Sequence, residues 1–318
     1  MFELSGRRVW VAGHRGMVGS AIWRSLEARG DVDLVGWASS ELDLTDRQAT
    51  LDAAVRSRPD VVVLAAAKVG GIGANVASPV DFLVDNLRIQ TNVLEAAAAA
   101  GVERLLFLAS SCIYPRDTRQ PMAPTQLWTG PLEPTNESYA VAKLAGIRLV
   151  QAHRLQHGRA WISCLPTNIY GPGDDFDPAT GHVVAALIRR FDDAARTGAP
   201  SVTLWGSGRP RRELLHVEDL ARACVRLLEV YDDGLPINVG TGEDVSIAEL
   251  AGLVARVVGY SGAIVWDTSR PDGMPRKLLE VTAMSALEWS ASIRLEDGLR
   301  STWAWYREHV AQPSGAQQ

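Results

Sequence analysis

The stretch Val9-Trp-Val-Ala12-Gly13-His-Arg-Gly16-Met-Val-Gly19 decides the fold of this 318-residue chain. Its first four residues have the apolar pattern of a short buried strand, and a helix pattern follows the glycines to about Arg29. Glycines permit a tight turn and a close approach of the backbone, and the helix N-terminus that comes next attracts a pyrophosphate. The spacing Gly-x-x-Gly-x-x-Gly alone is weak evidence for dinucleotide binding, and its position between that strand and that helix strengthens it. We therefore predict a dinucleotide-binding unit at the start of the chain.

Strand and helix patterns continue to alternate beyond this unit. The strand patterns Val32–Trp37, Val61–Ala67 and Arg104–Ser110 are separated by the helix patterns Arg47–Arg56 and Pro79–Ala100. Fully apolar strands that alternate with helices are typical of a parallel sheet covered on both faces. The sequence therefore predicts an α/β fold, a doubly wound parallel sheet of the Rossmann type, with a smaller C-terminal α/β lobe for the substrate.

The regular alternation loosens in the second half of the chain, which suggests two domains. We predict that residues 1–172 and about 217–240 form the dinucleotide-binding domain. Residues about 173–216 and 241–310 would form the substrate-binding lobe, and residues 311–318 a disordered tail. The glycine-rich segment Lys68–Gly73 is expected to be a flexible loop at the C-terminal end of a strand, where ligands bind in open α/β sheets.

Composition excludes several classes of protein. With 32 basic and 37 acidic residues the net charge is −5, which argues against binding to nucleic acid or to an anionic membrane. No apolar run approaches the roughly 18 residues of a membrane span, and the N-terminus has no signal-peptide pattern. Three cysteines without a Cys-x-x-Cys motif predict reduced thiols, a cytoplasmic location and no metal site.

Lysine is scarce in this chain, since only Lys68, Lys143 and Lys277 stand among the 32 basic residues. A compact ammonium cannot always be replaced by a planar guanidinium, so these three positions are candidates for specific roles. For Lys68 and Lys277, chance placement is the alternative.

Ser110, Tyr139 and Lys143 are the candidate catalytic residues of a carbonyl site. Tyr139 and Lys143 are four apart at the start of a predicted helix from Ser138 to His157, so they share one helix face. A neighbouring cation favours the phenolate and is expected to lower the pKa of Tyr139. Ser110 ends a strand and would supply a hydroxyl, which completes a proton-delivery centre for a carbonyl oxygen. The alternative is a helix pair on the surface.

Two residues bear on the choice between NAD and NADP. The segment that follows the second strand, Gly36–Ser40, lacks the acidic residue that often binds the ribose hydroxyls of NAD. Arg15 lies inside the glycine loop and would meet a 2′-phosphate, or else would be a solvated loop residue. Asp43 would reach the adenine, or serve in a cap or turn. We therefore predict NADP(H).

The second half of this acidic chain carries local clusters of basic residues. They are Arg189, Arg190, Arg209, Arg211, Arg212, Arg270, Arg276 and Lys277. Bidentate arginines suit a nucleotide diphosphate, and Arg212 is the strongest candidate, although most of the others are expected to be solvated. Trp205 would stack on a base or a sugar, or pack in the core. Asn168, at a strand end, would touch the substrate, and His216 is expected to be structural.

Seven short motifs are spread over roughly residues 8 to 310. They are Gly13-His-Arg-Gly-Met-Val-Gly19, Ala65-Ala-Ala-Lys-Val-Gly-Gly71, Ser110-Ser-Cys-Ile-Tyr-Pro115, Pro134-Thr-Asn-Glu-Ser-Tyr-Ala-Val-Ala-Lys143, Pro166-Thr-Asn-Ile-Tyr-Gly-Pro172, Trp205-Gly-Ser-Gly208 and Arg270-Pro-Asp-Gly273. Together they resemble the extended short-chain dehydrogenase/reductase family. The second and third motifs are specific to one subfamily, whereas Tyr-x-x-x-Lys is shared by the whole superfamily.

The resemblance implies an NADPH-dependent enzyme that acts on GDP-4-keto-6-deoxy-D-mannose, by 3,5-epimerisation and then 4-keto reduction. It implies that Ser110, Tyr139 and Lys143 surround the carbonyl, and that Cys112 and His182 form the epimerisation pair. A buried small cysteine and a helix-capping histidine are the alternatives for that pair. The implied partners are a GDP-sugar and a second copy of the chain, with a homodimer built on the helices Pro79–Ala100 and Ser138–His157.

The resemblance also implies two sets of binding residues. For the cofactor they are Gly13, Arg15, Gly16, Met17, Val18, Gly19, Asp43, Leu44, Ala65, Ala66, Lys143, Pro166, Asn168 and His182. For the substrate they are Ser111, Asn168, Arg190, Trp205, Arg212, Asp272 and Glu280. Two positions depart from the family pattern, since no arginine stands near Gly36 to Ala38 and Glu280 replaces an expected aspartate.

Two other functions compete with this hypothesis. One is a single-step nucleotide-sugar 4-epimerase or 4-reductase of the same family, in which Cys112 is inert. The other is a non-catalytic protein that senses a dinucleotide. A sensor does not need the complete set of Ser110, Tyr139 and Lys143, so the sequence favours an enzyme.

Overall fold

The computed structural model describes residues 1–177, 180–270 and 272–311. Its strands are β1 (Arg8–Ala12), β2 (Asp33–Val35), β3 (Val61–Leu64), β4 (Arg104–Leu108), β5 (Ala160–Pro166), β6 (Asn168–Tyr170), β7 (Ser201–Trp205), β8 (Arg211–Arg212), β9 (Leu214–His216), β10 (Ile237–Val239), β11 (Val245–Ser246), β12 (Ala263–Asp267) and β13 (Arg276–Lys277). Its helices are α1 (Met17–Glu27), α2 (Arg47–Ser57), α3 (Ile72–Ala77), α4 (Pro79–Ala99), α5 (Glu137–His157), α6 (Val183–Thr197), α7 (Val217–Val230), α8 (Ile247–Val258), α9 (Thr282–Ala286) and α10 (Leu295–His309).

A six-stranded parallel sheet forms the centre of the fold, in the order β10-β5-β4-β3-β1-β2. Helices cover both faces of the sheet, which explains why its central strands are almost entirely apolar. The apolar core on one face includes residues of α1 and α7, and the core on the other face includes residues of α2, α4 and α5. The predicted doubly wound parallel sheet is confirmed. All strands of such a sheet present their carboxyl ends at one edge, where ligands bind.

A third apolar cluster lies in the second half of the chain. It joins buried residues of α6, α8 and α10 with the strand β7, which pairs in parallel with β12. We propose that this cluster is the core of the substrate lobe, with the domain boundaries predicted from the sequence. Of the predicted tail, residues 312–318 lie outside the described residues, and Ala311 packs against the third cluster.

The structure differs from the sequence prediction in several segments. Helix α3 begins at Ile72, inside the segment predicted as a flexible loop, and the Asn75 side chain holds it by donating to the carbonyls of Gly70 and Gly71. Strands β2 and β3 are shorter than predicted. Strand β12 was not predicted, because its stability comes from pairing with β7, a partner distant in sequence. The basic loop that begins at Arg270 ends in β13, which pairs with β8.

The long helices carry several charged residues among their apolar ones. None of the helices in the described ranges is long and apolar enough to cross a membrane.

Candidate active site

The carboxyl end of β4 and the first turns of α5 bring the three predicted catalytic residues together. Ser110 follows β4, while Tyr139 and Lys143 lie one helical turn apart on α5. The Lys143 ammonium donates a hydrogen bond to the carbonyl oxygen of Leu108 at 2.9 Å, and its Nζ lies 5.9 Å from the centroid of the Tyr139 ring. All three catalytic candidates line one cavity of about 210 Å³. The alternative of a helix pair on the surface is wrong, since Lys143 is only 3% exposed.

Burial dominates the protonation of this group. It raises the pKa of Tyr139 well above the usual range. The charge of Cys112 raises this pKa further, whereas the hydrogen bond with the Ser110 hydroxyl lowers it. Burial also lowers the pKa of Lys143 to about 8, because the ammonium has lost its hydration. The expected net lowering of the Tyr139 pKa is therefore wrong, because the effect of burial dominates. A phenol with a raised pKa remains protonated at neutral pH, so Tyr139 has a proton to donate.

Cys112 lies in a single 3₁₀ turn, Ser111–Ile113, that Ser110 begins. The Cys112 amide donates to the Ser110 hydroxyl oxygen at 3.2 Å, which places the thiol beside the carbonyl site. Burial would raise the pKa of the Cys112 thiol, but nearby cations (Lys277 first) and the Ser110 hydroxyl outweigh burial and lower it. Cys112 lines the same cavity. The thiol is thus favoured as a thiolate, a form able to accept a proton.

His182 stands at the N-cap of α6 and also lines the cavity. Its Nδ1 lies 3.7 Å from Oδ1 of Asp174, whose side chain is 2% exposed. No cap hydrogen bond from the His182 side chain is made, so capping does not account for it. The Asp174 carboxylate raises the pKa of His182 against the effect of burial. The cavity therefore holds a thiol with a lowered pKa and an imidazole with a raised pKa, which suits a base and an acid.

The glycine loop forms the cradle predicted for a dinucleotide. Gly13 has a positive φ of 89°, and a Cβ there would lie 2.7 Å from the amide nitrogen of Ala66. A Cβ at Gly19 would overlap the carbonyl oxygen of Gly13. The N-terminus of α1 has neither a side-chain cap nor an acidic residue in its first turn. Its free amides and the close backbone packing therefore fit a pyrophosphate.

The other predicted cofactor residues fall into two groups. Met17, Val18, Ala65, Pro166, Asn168 and His182 line the cavity together with Lys143. Gly13, Arg15, Gly16, Gly19, Asp43, Leu44 and Ala66 do not line it.

Arg15 and Asp43 differ in how they are held. No hydrogen bond or ion pair ties the exposed Arg15 guanidinium to the part of the chain that the structure describes. Asp43 accepts hydrogen bonds from the amide and the hydroxyl of Thr45, both at 2.8 Å, which lower the pKa of its carboxyl. The turn role considered for Asp43 is therefore confirmed, and its contact with adenine stays a prediction.

The predicted substrate residues are divided between the cavity and the end of β7. Ser111 and Asn168 line the cavity. Three others gather around β7. The Arg190 guanidinium donates to the carbonyl of Thr203 at 3.0 Å, Trp205 is 67% exposed, and Asp272 accepts from the Ser207 hydroxyl at 2.6 Å. The exposure of Trp205 shows that it does not pack in the core.

Strands β8 and β13 connect these two groups of residues. Arg212 and Lys277 are directly paired in register, and Nζ of Lys277 lies 3.9 Å from Sγ of Cys112. Arg212 donates to the carbonyl of Met274 at 2.7 Å. The Glu280 carboxylate accepts a hydrogen bond locally, from the amide of Thr282 at 2.7 Å, and its role toward a substrate stays a prediction.

Sequence reasoning missed several residues of the site. Nothing in the sequence around Asp174 indicated that it is the partner of His182. Asn75 lines the cavity without a motif that singles it out, and Asn136 lines it from within the motif Pro134–Lys143, where no role was assigned to it. Lys277 was indicated by the scarcity of lysine, although Cys112 was not foreseen as its neighbour.

The two remaining single-residue predictions have clear outcomes. His216 is structural, since it is 4% exposed, accepts from the amide of Glu218 and contacts the Ser301 hydroxyl. Lys68 donates to Asp85 at 2.8 Å and to Asp81, both on α4. Lys68 therefore joins the loop after β3 to that helix.

Comparisons with known proteins agree with this geometry. A sequence model of the NAD dependent epimerase/dehydratase family matches residues 9–240. The chain is 52% identical to a putative GDP-L-fucose synthase 2 of Arabidopsis thaliana, over 98% of this chain and 95% of the relative. It is 51% identical to the GDP-L-fucose synthase of Escherichia coli (strain K12), over 96% of this chain and 98% of that protein.

Solved structures share the fold over nearly the whole chain. A GDP-L-fucose synthetase from Naegleria fowleri bound to NADP has a TM-score of 0.89 at 25% identity, and 97% of this chain and 96% of that chain are covered. A GDP-6-OMe-4-keto-L-xylo-heptose reductase from C. jejuni has a TM-score of 0.89 at 30% identity, with coverages of 96% and 99%. The chain therefore belongs to the NAD dependent epimerase/dehydratase family of extended short-chain dehydrogenases/reductases, as shown by the family match over residues 9–240 together with the glycine cradle and the Ser110–Tyr139–Lys143 group.

Proposed function

We propose that this protein converts GDP-4-keto-6-deoxy-D-mannose to GDP-L-fucose by 3,5-epimerisation followed by reduction of the C4 ketone. One observation carries the proposal: a single cavity is lined both by the carbonyl group Ser110–Tyr139–Lys143 and by the pair Cys112 and His182. A reductase needs only the first set. The names of the sequence relatives at about 50% identity support the same substrate.

The proposed cofactor is NADPH, which when bound supplies the hydride for C4. The glycine loop and the N-terminus of α1 would hold its pyrophosphate, and Lys143 and Asn168 line the cavity where its reactive end is needed. Arg15 supports the choice of NADPH, because it is exposed on the loop and available for a 2′-phosphate. The NADP bound to the Naegleria fowleri relative also supports it.

The GDP portion of the substrate is proposed to lie toward β7 and β8. Trp205 presents an exposed indole on which a planar base or a sugar would stack. Arg190 donates to the β7 carbonyl of Thr203, and Arg212 lies in β8. Arginines suit a diphosphate because their planar guanidinium groups bind two oxygens at once. Asp272 orders the loop that follows Trp205 by binding Ser207.

Epimerisation uses the acidity of carbons beside a ketone. Removal of a proton from C3 or C5 moves its electron pair onto the C4 oxygen, where the hydroxyl groups of Ser110 and Tyr139 would stabilise the negative charge. The Cys112 thiolate takes the proton on one face of the ring, and the protonated His182 returns one on the other face. The opposite pKa shifts of these two groups favour the required starting states.

Reduction follows in the same position. As the hydride reaches C4, the Tyr139 phenol gives its proton to the C4 oxygen, which becomes the hydroxyl group of the product. Ser110 orients that oxygen. The buried Lys143 ammonium, held by the carbonyl of Leu108, stabilises the phenolate that Tyr139 becomes.

A simple 4-reductase of a GDP-sugar is the second candidate. The structural neighbour from C. jejuni that is described as a reductase favours it. In that case Cys112 and His182 would line the cavity without moving protons.

Hydrogen exchange without NADPH distinguishes the two candidates. The substrate is incubated with the protein in deuterated water, and deuterium at C3 and C5 is followed by NMR. The wild type is expected to exchange both positions, and Cys112→Ser is expected to lose most of the exchange while it still reduces a pre-epimerised ketone.

Two results would count against the proposal. Exchange at the wild-type rate in both Cys112→Ser and His182→Asn would mean that the base lies elsewhere. No exchange in the wild type, together with normal reduction of the ketone, would establish the simple reductase.

A further inference from the structure

We propose that Lys277 is a positioning residue for the epimerisation: its ammonium holds the Cys112 sulfur as a thiolate ready to remove a proton from the substrate. The inference rests on the proposed function, in which Cys112 is the base. It assigns a task to the third lysine of the chain, at a strand that no catalytic motif includes.

The distance between the two groups carries the inference. Nζ of Lys277 lies 3.9 Å from Sγ of Cys112, although the residues are 165 positions apart in the chain. A unit positive charge at this distance stabilises the Cys112 thiolate relative to the neutral thiol. Cys112 lines the cavity, so the stabilised anion faces the space that a substrate would occupy.

The remaining groups around the sulfur do not replace Lys277. His182 and Arg212 are the other cations that act on Cys112, both more weakly than Lys277, and Tyr139 is a buried neutral phenol. Arg212 already donates to the carbonyl oxygens of Arg211 and Met274. His182 is required as the acid and loses its charge during the reaction. Lys277 and Arg212 have no part in the proton transfer, and of these two cations Lys277 acts more strongly on the sulfur.

The backbone explains how so flexible a side chain is aimed. Strand β13 has only two residues, and their side chains face opposite ways: Arg276 forms an ion pair with Asp244, while Lys277 reaches the Cys112 sulfur. The carbonyl of Lys277 accepts from the amide of Glu213 at 3.1 Å. The buried Glu213 carboxylate in turn accepts from the amide of Leu279 at 2.8 Å. Lys277 and the residues that follow it are thus tied to Glu213, the residue directly after β8.

The choice of lysine also fits the chemistry. The chain uses arginine at 29 of its 32 basic positions, since only three are lysine. A compact ammonium fits beside a sulfur inside a cavity, whereas a guanidinium is wider and binds best to a planar carboxylate or phosphate.

The thiol can be titrated directly, without any substrate. The rate of alkylation by iodoacetamide is measured as a function of pH on the full-length protein, with modified Cys112 quantified by mass spectrometry. Cys164 and Cys224 are 0% exposed, so the folded protein presents Cys112 as its reactive thiol among the described cysteines. Cys112→Ser provides the background rate.

Three variants test the role of Lys277. In Lys277→Met the apparent pKa of Cys112 is expected to rise by roughly one unit, which is about the smallest shift that an opposite charge at this distance produces. Lys277→Arg keeps the charge and is expected to restore most of the shift. Arg276→Met, on the same strand but paired with Asp244, is the matched control and is expected to leave the pKa of Cys112 unchanged.

The second readout is deuterium exchange at C3 and C5. At pH values below the raised pKa of Cys112, Lys277→Met is expected to slow the exchange about tenfold. Reduction of a pre-epimerised ketone is expected to continue at a similar kcat. An unchanged pKa of Cys112 in Lys277→Met would overturn the inference, and a raised KM with that unchanged pKa would assign Lys277 to substrate binding instead. If Lys277→Met raises the pKa of Cys112 but the wild type shows no deuterium exchange, the proposed function is refuted, while the pairing of Lys277 with Cys112 stands.

Discussion

At the scale of single residues, the chemistry of this site depends on how far each group is removed from water and on which charge lies next to it. Tyr139 and Lys143 are both buried, so each is pushed toward its neutral form. Cys112 and His182 are instead pushed toward their charged forms by partners, Lys277 and Asp174. The cavity therefore favours the neutral phenol of Tyr139, the thiolate of Cys112 and the imidazolium of His182.

Replacement of Tyr139 by Phe removes a proton and keeps the ring. We expect turnover of the ketone to fall by roughly 10²–10⁴, as is typical of a lost general acid. The measurement is the rate of NADPH oxidation, with fluorescence of bound NADPH as the control for an intact cofactor site. Turnover close to the wild-type value would refute the role of Tyr139.

Replacement of Asp174 by Asn tests the charge on His182. Asp174 raises the pKa of His182, so its removal lowers that pKa and the imidazolium is lost at a lower pH. The alkaline limb of the exchange rate is therefore expected to move to lower pH, with little change on the acid side. A parallel shift of the His182 ring signal in an NMR titration, assigned with His182→Asn, would separate this effect from misfolding.

The matched control for that prediction is Asp175→Asn. Asp175 is adjacent and exposed, and it bonds the Thr180 hydroxyl and acts on His182 more weakly than Asp174. Equal shifts in the two variants would mean that the general charge of the loop, and not the Asp174 contact, sets the protonation of His182.

At the scale of secondary-structure elements, strand ends and helix starts supply almost every group of the site. The loop between β1 and α1 forms the cradle, β4 and α5 position the carbonyl group, and His182 is the N-cap of α6. The short pair β8 and β13 brings charge to Cys112. Because a parallel sheet gathers its carboxyl ends at one edge, elements far apart in sequence meet in one cavity.

Arg15 belongs to the first of these elements and is predicted to select NADPH. In Arg15→Ala, the ratio of kcat/KM for NADPH to that for NADH is expected to fall at least tenfold, because a charge-assisted contact to the 2′-phosphate is lost. Steady-state kinetics with both cofactors measure it. The exposed Arg256 on α8 offers a matched control, because Arg256→Ala should leave the ratio unchanged. An unchanged ratio in Arg15→Ala would exclude Arg15 as the contact of the 2′-phosphate.

At the scale of the whole molecule, the homodimer implied by the family resemblance remains a prediction. Helix α5 presents Val141, Arg148 and Leu155 at intervals of seven, so they form one stripe. Val141 is 42% exposed and Leu155 91%, and Val80 on the neighbouring α4 is 68% exposed. Apolar side chains on two packed helices suit a second copy of the same surface.

The double change Val141→Arg and Leu155→Arg is expected to convert a dimer to a monomer, because it places like charges on both sides of a two-fold interface. Light scattering coupled to size exclusion gives the mass. Val55 on α2 is a comparably exposed valine, 47%, and Val55→Arg should leave the dimer intact. A monomeric wild type would show that this surface has another use.

Much of the fold and the centre of the site followed from local patterns in the sequence. An apolar strand, three glycines and a helix specify the cradle because each residue's role depends on its nearest neighbours. Tyr139 and Lys143 meet because helix geometry alone brings positions four apart together, and Ser110 joins them because parallel strands end at one edge. These relations need no knowledge of the remaining chain.

Other properties depended on segments that meet only in the folded molecule. No local pattern joins Lys277 to Cys112 across 165 residues, pairs β12 with β7, or sets Asp174 beside His182. The protonation of Tyr139 was also beyond the sequence, which showed the cation on the next turn but not the loss of water around both side chains. Spacing along the chain determines which neighbours a residue has on its own element, whereas contacts between elements and the cost of desolvation are determined only by the packing of the whole protein.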